Sequence, residues 1–168
     1  MNSDAIFWLQ IGVSVGVVSL ITLWYVWPPL TKLSLQAALV PLLFVQVFRY
    51  VGMTLLVKGM IDPRLSHNLL RDGAYGDLLA GALALAAIFA LRYNWSFAIP
   101  LAWVANTWGS LDVVNVLRGV VSSNVPSYHL ASIWYIYTFY APLVVVSAVM
   151  IFVVLFKSRS WNKAPVPV

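Results

Sequence analysis

Residues 6–27 of this chain read IFWLQIGVSVGVVSLITLWYVW, a stretch without a single charge. A helix that long reaches about 33 Å, enough to cross the roughly 30 Å hydrocarbon core of a bilayer. Four further apolar runs follow at 35–61, 76–91, 97–118 and 131–156. Continuous runs exclude a transmembrane β-barrel, whose strands alternate lipid-facing and inward residues. The runs predict an all-α, polytopic membrane protein: a five-transmembrane-helix bundle forming one integral membrane domain over 1–168, with 157–168 as a cytoplasmic tail. The N-terminal MNSDAIFWLQIG lacks the basic segment of a secretory signal, so the first run is read as retained.

Composition closes off the soluble alternatives. The chain is 62% hydrophobic and 9% charged, with a mean hydropathy of +0.89. A water-facing surface uses about 25% charged residues, and this chain has no Glu. Its net charge of +5 comes from basic residues that stand singly. That excludes a nucleic-acid partner and fits loops beside anionic lipid. With no cysteine there are no disulfides, thiolate chemistry or iron–sulfur clusters. His67 and His129 lie in loops without ligand spacing, so no metal is assigned. No serine sits in a nucleophile elbow and no phosphate-binding glycine loop is present.

Loop charges set the orientation. Lys32, Arg92, Lys157, Arg159 and Lys163 fall on one side; Arg64, Arg71 and Arg118 fall on the other with Asp4, Asp62, Asp72 and Asp77. The excess places the C-terminus in the cytoplasm and the N-terminus outside. Trp24, Tyr25, Trp27, Tyr93 and Trp95 mark the inner interface, and Trp134 and Tyr135 the outer one. The longer connections are outside, which puts the functional face there.

Arg49 breaks the pattern. It stands near the middle of VPLLFVQVFRYVGMTLLVKGM, where a lipid-facing charge costs about 3–10 kcal/mol. It must therefore face the bundle and have a partner. Asp112, in WGSLDVVNVLRG, lies well inside the fourth run, within about 4 Å of the same depth. An Arg49–Asp112 ion pair is expected. Gln46, Arg49, Tyr50 and Met53 share one face at helical spacing, as do Trp108, Asp112 and Asn115. Asp77 is read at the outer start of the third helix, where a carboxylate suits the helix dipole. Tyr137, Tyr140 and Ser147 on the fifth run close the wall. Together they outline an outward polar and aromatic ligand pocket of Arg49, Asp112, Tyr50, Gln46, Trp108, Asn115 and Asp77. The other reading of the pair is a structural bolt that fixes helix register. PRLSHNLLRD is read as a short interfacial helix. GVSVG, with Gly12 and Gly16, serves either packing within the chain or dimerisation.

At FRYVG (48–52), AYGD (74–77) and NTWGSLDVVN (106–115) the chain resembles small, uncharacterised five-span proteins of the bacterial inner membrane. That resemblance implies the location and the bundle, and no activity. A slighter likeness, carried by its size, its eight tryptophans and WPP at 27–29, is to the tryptophan-rich sensory (translocator) protein family. Leu30 and Thr31 stand where that family's second tryptophan belongs, so its ligand residues do not carry over.

Three function classes stay open, beside a transporter or proton channel, for which 168 residues leave room only in an oligomer. In the first, the protein binds a lipophilic or amphipathic small molecule, with Arg49 orienting an anionic or carbonyl group and Tyr50 and Trp108 stacking on the apolar part. In the second it is a non-catalytic subunit of a larger membrane complex. In the third it is an enzyme acting on a lipid-like substrate through a buried carboxylate. Partners under these readings are membrane lipids, a lipophilic ligand, and a second copy or other membrane subunits; cofactors are not indicated.

Overall fold

A computed structural model describes residues 2–161. Five long helices carry the fold: α1 (Ser3–Leu30), α2 (Leu35–Leu56), α3 (His67–Arg92), α4 (Ala98–Ser122) and α5 (Ile133–Phe156). α1, α2, α3 and α5 are each long and apolar enough to cross a membrane. α4, the expected fourth span at 97–118, has the length but not the hydropathy. It carries Asn106, Thr107, Ser110, Asp112, Asn115 and Arg118 in close succession.

Prolines shape three of the helices. Pro28 and Pro29 in α1 and Pro142 in α5 lack an N–H, and their rings crowd the carbonyl four residues back. The turns just before them widen into π turns, at Thr22–Val26 and Ile136–Tyr140, which accommodates the missing bond. Pro41 sits inside the α-helical part of α2, Leu35–Val47, which Ser34 starts by accepting from the Ala37 N–H at 3.3 Å. From Phe48 to Leu56 the same helix tightens to a 3₁₀ helix.

Two element boundaries differ from the sequence reading. The third helix begins at His67 rather than at 76, so the expected interfacial helix in PRLSHNLLRD is turn followed by the first turns of α3. α2 stops at Leu56, before Lys58, where Val57 is extended. The segment 57–66 is then a loop. Of the expected tail at 157–168, the described residues hold Lys157 and a short helix, Ser158–Trp161; 162–168 lie outside them.

α3 packs against both α2 and α4. Its inward stripe is Gly73, Ala74, Ala80, Gly81, Ala84 and Ala87, all buried. Small side chains let helix backbones approach closely where lipid gives no hydrophobic push. A Cβ on Gly81 would stand 2.8 Å from the Val47 carbonyl oxygen.

The buried apolar residues fall into two layers. One joins Leu39, Leu43, Ala84, Ala102, Ile151 and Val154; the other joins Phe7, Leu55, Ala74, Val120, Val125 and Ile133. On α2, α3 and α4, residues 49, 77 and 112 lie between the layers. α1 is held lightly. Over Ser3–Ile21 only Phe7 is buried, edge-on to Trp134 at 5.2 Å, while Trp134 Nε1 donates to Gln10 Oε1 at 2.6 Å.

At the end of the bundle near the N-terminus, two loops are clamped together. The Asp62 N–H donates to the His129 carbonyl at 2.9 Å. Arg64 donates to both Asp62 carboxylate oxygens through Nε (3.0 Å) and Nη2 (2.7 Å), and lies over the Tyr128 ring. The Arg64 side chain, with its backbone N–H, holds the Asp62 carboxyl well below the usual carboxylate range. A lowered folded value means the clamp's contribution is complete above the ordinary value of 3.8 and is lost as pH falls below it. Hydrogen exchange of residues 57–66 and 123–132 should therefore be unchanged between pH 7 and 5. Relative to intrinsic rates it should rise below about pH 4, and Asp62→Asn should produce the same rise at neutral pH.

Candidate functional site

The 3₁₀ segment of α2 decides which side chains point inward. Three residues per turn place Gln46, Arg49, Gly52 and Leu55 in one line. All four are buried; Gln46 is 4% exposed and Arg49 2%. An α-helix would have put Tyr50 on that face. Tyr50 is instead 51% exposed, a correction to the expected grouping of Gln46, Arg49 and Tyr50.

Arg49 reaches two other helices. Its Nη2 donates to Asp112 Oδ2 at 2.5 Å, which is the ion pair expected from the sequence. Its Nε donates to Asp77 Oδ1 at 2.8 Å, and its Nη1 donates to the Gly109 carbonyl at 2.8 Å. Asp77 is thus not the helix-start carboxylate of the sequence reading. α3 begins ten residues earlier, which carries Asp77 into the bundle. Three helices meet on one guanidinium, and two carboxylates share it.

Glycines make room for each member. A Cβ on Gly52 would collide with the Asp77 carboxylate, and one on Gly76 with the Asp112 carboxylate. A Cβ on Gly109 would meet Arg49 Nη1 at 2.8 Å. Each charged group therefore lies against bare backbone of a neighbouring helix. At Gly12 and Gly16, by contrast, a Cβ would meet nothing within 4 Å among the described residues, so neither glycine serves a close helix approach there, although Val15 between them lines the cavity described below.

One turn along, neutral polar groups tie α2 and α4 to α5. Gln46 Nε2 donates to Ser147 Oγ at 2.6 Å and to the Val144 carbonyl at 3.0 Å. Asn106 Nδ2 donates to the Ala148 carbonyl at 3.1 Å. Tyr140 Oη donates to the Val45 carbonyl at 2.7 Å. Of the expected Tyr137–Tyr140–Ser147 stripe, Tyr137 and Tyr140 line the cavity described next, whereas Ser147 is taken up by Gln46.

A cavity of about 290 Å³ opens beside the triad. Arg49 and Asp77 are its charged lining. Phe7 and Ile11 of α1, Val113 and Val116 of α4, and Tyr137 and Tyr140 of α5 form much of its apolar wall. It lies in the half of the bundle toward the N-terminus of α1. Trp108 and Asn115 do not reach it. They line a separate hollow with Tyr75, Gly76 and Leu79, on which Asp112 also borders. The seven candidate residues therefore divide. Arg49, Asp77 and Asp112 are joined directly; Gln46 is buried beside them but bonds α5 instead; Tyr50, Trp108 and Asn115 face outward.

A family described as domain of unknown function (DUF8737) matches residues 6–156. The chain belongs to that family. The DUF8737 stretch runs from α1 to the last residue of α5 and contains all three triad residues. No curated protein and no solved structure matches the chain.

Arg49→Ala would leave two inward carboxylates without their cation. It should lower stability in detergent by about 3–5 kcal/mol. Asp112→Asn should weaken the protein comparably, and the Arg49→Ala/Asp112→Asn double variant should be no worse than the poorer single. Fully additive losses would show that the two residues do not interact.

Gly52→Ala and Gly76→Ala should each cost about 1–3 kcal/mol by overpacking. Gly12→Ala and Gly16→Ala should fall within about 0.5 kcal/mol of the parent or gain slightly from helix propensity. Thermal melting of the four purified variants checks this contrast.

Proposed function

We propose that this protein is a five-span bundle of the bacterial inner membrane, one domain throughout, that binds a lipophilic or amphipathic small molecule beside Arg49. The N-terminus is outside and residues 157–168 lie in the cytoplasm. α4 serves as the fifth span because Asn106, Gly109 and Asp112 are buried within the bundle, leaving Val104, Leu111, Val114 and Leu117 on its outer surface. Trp24, Tyr25, Tyr93 and Trp95, all exposed, supply an aromatic belt at the cytoplasmic interface.

The observation that carries the binding reading is the cavity itself. Its wall is apolar and its charged groups are confined to Arg49 and Asp77. Ligand sites have that character: mostly hydrophobic, with a few placed polar groups that fix orientation. The cavity lies in the half of the bundle that this topology puts outside. Asp112 then acts from behind, holding the guanidinium in place.

A second reading, a subunit of a larger membrane complex, draws on α1. That helix buries little of itself, and a Cβ on either of its two spaced glycines would meet no neighbour within 4 Å among the described residues. Lipid or another membrane protein would cover it.

Native mass spectrometry of the purified protein tests the first reading. The parent should retain a small amphiphile. Ala141→Phe, which projects a ring from the cavity wall, should lose it while keeping its melting temperature within a few degrees. Retention unchanged in that variant would remove the cavity as the binding site.

A further inference from the structure

The charge count at the triad bears on what the cavity takes. One guanidinium faces two carboxylates, and among the described residues the cavity lining holds no other Lys or Arg. Arg49 already donates to Asp77, Gly109 and Asp112. It serves two acidic side chains at once. An anionic head entering the cavity would bring a third acidic group to a single guanidinium and would lie against Asp77, which lines the same space, in surroundings where like charges repel strongly. A cation would meet the Asp77 carboxyl instead.

The carboxylates are also placed unequally. Asp112 is the more buried and does not line the cavity, whereas Asp77 does and keeps 21% of its side chain exposed. Asp77 gives Oδ1 to Arg49; its Oδ2 lies against Gly52. Phe7, Tyr137 and Tyr140 line the same space, and aromatic faces attract cations.

We propose that the ligand's polar end is a protonated amine, held by Asp77 and flanked by the cavity's aromatic rings, with a single alkyl chain along the α1–α4–α5 wall. This rests on the binding reading above and adds the sign of the ligand's charge. At roughly 30 Å³ per water-sized group, 290 Å³ accommodates a chain of about ten carbons. Arg49 becomes a positioning residue: it fixes Asp77 through its Nε at the edge of the same cavity while Asp112 pairs with its Nη2.

The test uses the full chain in nanodiscs of zwitterionic phospholipid at pH 7, titrated with decylamine, decanol and decanoate. Empty nanodiscs give the partitioning background. Decylamine should bind at least about tenfold tighter than decanoate above that background, with decanol between them. In Asp77→Asn the amine should fall to the level of decanol while decanol binding persists. Decanoate or decanol binding as tightly as decylamine would overturn the proposal, as would an amine preference that survives Asp77→Asn. The ranking on the parent protein needs no variant to fold. Binding of none of the three probes would overturn this proposal and the cavity reading beneath it, whereas a reversed ranking would overturn only the charge assignment.

Discussion

A guanidinium withdrawn from water, held by carboxylates from two other helices, is the constraint around which this bundle is arranged. A single charge buried in an apolar medium is prohibitive; a charge with hydrogen-bonded counterions is tolerable only when geometry is good. Arg49 meets that condition by three donations to three acceptors on α3 and α4. Much of the rest follows. α3 must be small-sided to bring Asp77 close, α4 must be polar despite its length, and Gly52, Gly76 and Gly109 must lack side chains where charged groups lie. Such an arrangement adds less to net stability than an apolar core of equal volume, but it admits one register among the three helices and penalises others.

The polar residues divide the interior by depth. The two apolar layers are filled by ordinary aliphatic packing, and between them the triad and the Gln46–Ser147 bond connect four of the five helices. Aliphatic contacts in lipid discriminate poorly, since a Leu is as comfortable against an acyl chain as against another Leu. Hydrogen bonds and ion pairs discriminate well. Orientation of the helices about their own axes is therefore set in the middle, and the layers on either side hold what the middle specifies. α1, which contributes nothing to the triad, is correspondingly the least buried element.

Much of this was legible in the residue order. Apolar runs gave the helices, and the cost of a mid-run arginine led directly to Asp112. Hydropathy alone starts the third run at 76 and so leaves Asp77 at a helix end, whereas the helix begins at His67. The spacing of Gly73, Ala74, Ala80, Gly81, Ala84 and Ala87 is a signal that finds it: extended backward, that small-residue face starts near Leu70 and carries Asp77 inward. Tyr50 departs from its expected face for a different reason. Sequence period cannot announce a switch from 3.6 to 3.0 residues per turn, although Gln46, Arg49, Gly52 and Leu55 at intervals of three are consistent with one. The π turns before Pro28 and Pro142 follow from proline chemistry. The second of them supplies Ile136, Tyr137 and Tyr140 to the cavity wall, so a ring closure at residue 142 helps choose which side chains line a binding space.

The separation of the triad along the chain has a consequence for biogenesis. Arg49 is synthesised 28 residues before Asp77 and 63 before Asp112. When Arg49 joins the growing chain, neither counterion has yet been made. On α2 alone the side chain would lie among acyl chains as an unpaired cation. The neutralisation that lets it sit there comes only from α3 and α4, so this helix depends for its charge balance on chain made after it.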